Sequence, residues 1–132
     1  MSSKAADYKA WIEKADSDLL NIQNNINGRQ VPWDTVCFHA QQAAEKLLKA
    51  VLVFHGQIPP KTHDLLLLQK KCLNYEPELS SLEGDLQLLD SYSETSRYLG
   101  DYIESIEEED GLEAVEAAKR IRVTIQAKFP SR

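Results

Sequence analysis

The chain has 132 residues, 42% of them hydrophobic and 27% charged, with a formal net charge of −6 and a pI near 5.0. This length suits one domain with a real core, the composition excludes a chain too polar to fold, and the acidic balance makes any nucleic-acid binding depend on a local basic patch. No stretch approaches the roughly 20 apolar residues of a membrane-spanning helix, and the opening "MSSKAADYKAWIEK" lacks the apolar run of a signal peptide, so a cytoplasmic location is expected.

Tyr8, Trp11, Ile12, Ala15, Leu19, Ile22 and Ile26 recur at spacings of three and four, which predicts a first helix with one buried stripe, ended by Asn27 and Gly28. Pro32 beside Asp34 fits the first turn of a second helix, which runs to Phe54 or His55 and stops at Gly56. "QIPPKT" cannot be helical, because each proline restricts the residue before it, so a stiff loop leads to Thr62 or Asp64 as cap of a third helix over "HDLLLLQKKCL". Residues 74–77 break that helix. "SSLE" at residues 80–83 has the spacing of a capping box, and Leu82, Leu86 and Leu89 carry a short fourth segment through Gly84. "SYSETSRYLGDY" reads as an ordered loop. A last helix begins within "EEEDGLEA" and extends to about Lys128, acidic at its start and basic toward its end, as the helix dipole favours. Nothing alternates with period two, so the expected fold is an all-α up-and-down bundle of four to five helices, one domain over residues 1–132. Cys37 and Cys72, far apart and each within an apolar segment, are expected to be reduced, buried thiols.

On a helical wheel, Val36, Ala40, Ala43, Leu47, Ala50, Val51 and Phe54 share one arc of the second helix, its core face. His39, Gln42, Lys46 and Lys49 fall on another arc. Phe38, Leu48 and Leu52 stand on a third side with Gln41 and Glu45, so the helix is apolar on more than one side. The second apolar side meets either further helices of the same chain or a self-complementary dimer partner. The polar strip is either a contact site or a solvated face, with Glu45 and Lys49 as an i,i+4 pair worth only ~0.3 kcal/mol.

"FHAQQAAEKLLKAVLVFHGQIPPKTHDLLLL", followed by "SRY" ahead of an acidic stretch and a last helix, resembles the HEPN domain over nearly the whole chain. The resemblance implies an α-helical up-and-down bundle, commonly homodimeric and prokaryotic. It also implies a small nucleotidyltransferase as partner, in a toxin–antitoxin pair or a split nucleotidyltransferase. Many such domains are metal-independent ribonucleases that use an Arg, a polar residue and, four to six positions on, a His. The pairing suits the chemistry: imidazole moves a proton near neutral pH while guanidinium grips a phosphate. That motif is absent here as normally written. Arg29 precedes His39 by too many residues, Arg97 is followed by "YLGDYIES" with no His, and neither His55 nor His63 has an Arg at the required distance.

The resemblance therefore implies a non-catalytic module that takes a nucleotide or RNA phosphate near His39, Gln42, Lys46, Lys49, Lys61, His63, Arg97 and Tyr98, with no metal and no cofactor assigned. The cations supply charge and Tyr98 a stacking ring. The alternative is a ribonuclease in which Arg97 meets His39 or His63 in space. Structural readings stand beside these: Lys61 and His63 tie down a loop, Arg97 anchors a neighbouring helix end, and His39 bonds Gln42 or the loop. The acidic run at residues 107–110 suits a solvated helix start better than a metal site. The ligand reading requires the cations of the second helix and those ahead of the last helix to share one solvent-accessible hollow.

Overall fold

Lys4–Ile26 forms the first helix, α1, in the computed structural model, which describes residues 4–92 and 105–130. The expected stripe is its inner face: Tyr8, Ala15 and Ile22 are buried, with Trp11, Ile12, Leu19 and Ile26 packed beside them. Helix α2, Trp33–Phe54, starts one residue past Pro32, which takes the N-cap position rather than the first turn. Its end is a Schellman motif. Gly56 has φ +78, the Gly56 N–H donates to Val53 O and the Gln57 N–H to Leu52 O, both at 2.9 Å. The left-handed conformation is cheap only for glycine, which is why the helix stops there.

Helix α3, Leu65–Cys72, is capped by Asp64, whose carboxylate accepts from the N–H groups of Leu66 and Leu67. Asp90 Oδ1 accepts from the N–H of Leu65, so carboxylates satisfy three donors that a helix start would otherwise leave open. Burial raises the Asp90 carboxyl above its ordinary range against that hydrogen bond. Residues Pro77–Leu82 form a 3-10 helix, followed by α4, Glu83–Asp90. The capping box expected at "SSLE" is not formed: Pro77 starts the 3-10 turn, Ser80 lies inside it, and α4 begins without a side-chain cap. A capping box does open the last helix, α5, Glu108–Gln126, where the Glu107 N–H donates to Asp110 Oδ2 at 2.9 Å and the Glu107 side chain accepts in return. The acidic run at residues 107–110 is thus a helix start. No strand occurs among the described residues.

Helix α2 is the axis of the bundle and touches α1, α3, α4 and α5. Val36, Ala40, Ala43, Leu47, Ala50 and Val51 are fully buried. The second apolar side is covered within the chain only in part: Leu48 and Leu52 are buried, and the Cys72 thiol at the end of α3 donates to Leu48 O at 3.3 Å, whereas Phe38 stays 40% exposed. Each such leucine contributes roughly 1.5–3 kcal/mol through the apolar surface it removes from water. Tyr8, Phe54 and Phe129 close one end of the core, with ring centroids 4.5 to 5.2 Å apart. Arg122 clasps Asp16 of α1 and Arg120 clasps Asp85 of α4, so ion pairs hold α5 on both flanks. Cys37 and Cys72 are buried and outside any disulfide, as expected from their apolar surroundings.

Candidate functional site

The polar strip of α2 faces inward along the seam with α1. Asp18 of α1 sits inside the apolar stripe, one turn from Ala15 and Ile22, and is itself buried. A carboxylate in that position needs partners, and it has two: His39 Nδ1 donates to Oδ1 at 2.8 Å and Lys46 Nζ to Oδ2 at 2.6 Å. A parallel arrangement lies one turn further along. Glu45, buried on α2, accepts from Lys49 Nζ at 2.9 Å through one oxygen and from His63 Nδ1 at 2.7 Å through the other. Lys49 is only 6% exposed and its ammonium lies 5.6 Å from the centroid of the Trp11 ring, a distance at which the π face still attracts a cation. Lys14 approaches the same ring at 5.4 Å.

The four residues of the strip therefore differ in what they can reach. Lys49 is closed off from solvent, and Lys46 is committed to Asp18. His39 keeps 22% of its side chain exposed, and Gln42 donates to Gln41 Oε1 at 2.9 Å. Gln41 in turn donates to the backbone carbonyl of His63 at 3.1 Å. His63 is thus held at its backbone by Gln41 and at its ring by Glu45, yet its side chain is 76% exposed. A carboxylate only accepts, so the proton bonded to Glu45 is on Nδ1, and Nε2 is the ring nitrogen left for another molecule. Lys61 is exposed two residues away, on the loop that leads into α3. The third histidine, His55, is spent elsewhere: its Nε2 donates to Glu76 at 2.8 Å and its ring stacks on Tyr75.

Arg97 and Tyr98 lie outside the described residues, so only the α2 and α3 members of the expected site are described. Among these the exposed groups are Lys61 and His63 at the start of α3, with His39, Gln42 and Lys46 partly exposed and Lys49 buried. Sequence reasoning misses Asp18 and the double role of Glu45. The available signal is a carboxylate within an apolar stripe, since charged side chains are rarely buried unless paired.

Chemically, the corner offers an oriented imidazole, an exposed ammonium and no metal cage: no group of three or more His, Cys, Asp or Glu side chains among the described residues is arranged to hold a metal ion. No described helix is long and apolar enough to cross a membrane. A model of the HEPN domain matches residues 8–128. The crystal structure of TT1696 from Thermus thermophilus superposes with a TM-score of 0.75 at 26% identity, covering 93% of this chain and 98% of that one. No curated protein matches the chain.

Proposed function

The chain belongs to the HEPN family of nucleotide- and RNA-related, often dimeric modules, and from that premise we propose that it is a non-catalytic interaction module. In this reading it forms a homodimer, pairs with a small nucleotidyltransferase in a toxin–antitoxin or split-enzyme system, and holds a nucleotide or RNA phosphate at the Lys61–His63 corner. One observation carries the phosphate site: an imidazole anchored through Nδ1 to a buried carboxylate while most of its surface faces solvent. Protonated, that ring donates through Nε2 to a phosphate oxygen without first losing rotamer freedom, and Lys61 adds charge beside it. Lys46 and Lys49 act from behind by neutralising Asp18 and Glu45, which would otherwise repel an anion. Arg97 and Tyr98 are proposed to complete the site from the segment ahead of α5.

Titration of the purified protein with a labelled RNA oligonucleotide and with ATP tests the site. His63→Ala and Lys61→Ala are each expected to weaken binding about tenfold, the loss of one charge-assisted hydrogen bond. Absence of binding by the unaltered protein would remove the proposal. The same anchored imidazole favours one second reading, a metal-independent ribonuclease with His63 as general acid–base and Arg97 as phosphate clamp. RNA cleavage in EDTA, abolished by His63→Ala and by Arg97→Ala, would select it over the binding module.

A further inference from the structure

On α5, Leu112, Glu116, Lys119 and Val123 follow one another at intervals of four, three and four residues, a stripe within about 60° of arc at ~100° per residue. The stripe lies opposite the buried Ala114, Ala118, Ile121 and Ile125, and its two apolar members are 45% and 71% exposed. Two shallow hollows border it. One, of about 310 Å³, sits beside Leu112 and includes Leu88; the other, of about 390 Å³, sits beside Val123 and includes Leu82, and Glu116 and Arg120 line both.

The order apolar, acidic, basic, apolar becomes apolar, basic, acidic, apolar when reversed. A second copy laid antiparallel across a two-fold axis at the level of Ala117 and Ala118 therefore brings Leu112 against the partner's Val123 and Glu116 against the partner's Lys119, twice over. A two-fold interface needs this self-complementarity. We propose that this face of α5 is where a second copy of the chain docks, each Leu112 entering the hollow beside Val123 of the other copy and each Val123 the hollow beside Leu112. The inference rests on the homodimer in the function proposed above and names its surface. On the competing surface, the second apolar side of α2, Leu48 and Leu52 are already covered within the chain, which leaves Phe38, 40% exposed, as a single ring rather than a stripe. In the single chain Glu116 and Lys119 pair with each other at 3.7 Å with both side chains about 60% exposed, so exchanging that weak contact for one across the axis costs little.

Charge reversal tests the arrangement without touching the core. Glu116→Lys alone and Lys119→Glu alone each set like charges opposite one another at two places. Light scattering at tens of micromolar is expected to give twice the 15.0 kDa chain mass for the unaltered protein, and a dimer dissociation constant raised at least ~10-fold for either variant. An equimolar mixture of the two variants is complementary again across the axis, and the doubled mass should return. A dimer that persists in both single variants, or a mixture that stays monomeric, overturns this surface while leaving dimerisation itself intact. An unaltered protein that is monomeric at these concentrations overturns both the surface and the dimer.

Discussion

Glu45 joins one side chain from its own helix and one from the loop before α3, and the lysine among them is nearly as buried as the carboxylate. Removing Lys49 leaves a carboxylate in low dielectric with only the exposed His63 beside it. Lys49→Ala is expected to lower unfolding free energy by about 3–5 kcal/mol, whereas Glu45→Met with Lys49→Met, which takes out both charges, should cost clearly less than the two single changes together. Urea unfolding of Glu45→Met, Lys49→Met and the double variant measures this coupling; additive costs, or a loss under about 0.5 kcal/mol for Lys49→Ala, would mean the ammonium reaches water. The sequence reveals that His39, Gln42, Lys46 and Lys49 share an arc, because that follows from the helical period alone. It does not reveal that the arc is a seam, because Asp18 and Trp11, which cover it, belong to another helix and no local rule pairs them. Lys49 is for that reason buried where the arc alone predicts an exposed cation, while Lys61 and His63, on a proline-stiffened loop, remain exposed.

Helix existence is legible from periodicity, and an end is legible where a single residue type decides it, as Gly56 does by its left-handed φ; at α3 the sequence offers Thr62 or Asp64, and the Asp64 carboxylate on two N–H groups decides between them. Where two signals compete, spacing misleads. "SSLE" has the offsets of a capping box, but Pro77 starts a 3-10 turn that runs through Ser80, while the box that forms uses Glu107 and Asp110, acids that the sequence marks only as dipole complements. Gly111 is another case that sequence leaves silent. Inside α5 it is a poor helix former, yet a Cβ there would drive into the Trp33 ring at the start of α2. Gly111→Ala should therefore destabilise, by about 1–3 kcal/mol from overpacking, although alanine is the better helix former by about 1 kcal/mol. Thermal unfolding measures the loss, and pairing the change with Trp33→Leu should recover part of it. A rise in Tm for the single variant would show that α5 can lift off Trp33 at no cost.

Across the whole molecule, the all-α class follows from the absence of period-two patterning, but the way the helices are bound together does not. Arg122 reaches Asp16 and Arg120 reaches Asp85 over sequence distances that carry no local signal, and Cys72 of α3 reaches the Leu48 carbonyl on the second apolar side of α2 through a contact that no wheel of α2 contains. The two thiols report on how firmly that assembly closes. Burial, helped by the nearby Glu76 charge, pushes the Cys72 thiol up to about 12 from an ordinary 9.0. A folded acid whose pKa is raised holds its proton longer than the unfolded chain does, so its contribution is full below pH ~9 and is lost as pH climbs from there toward 12. Denaturant unfolding should accordingly show a stability about 1 kcal/mol lower at pH 9.5 than at pH 8, a difference that shrinks in Cys72→Ala. Thiol labelling at pH 8 locates the opening that exposes these groups. If α2 and α3 separate only when the whole core does, Cys37 and Cys72 react at one common rate that follows the global unfolding equilibrium; if Cys72 reacts first, α3 opens on its own, and the loop carrying Lys61 and His63 moves with it.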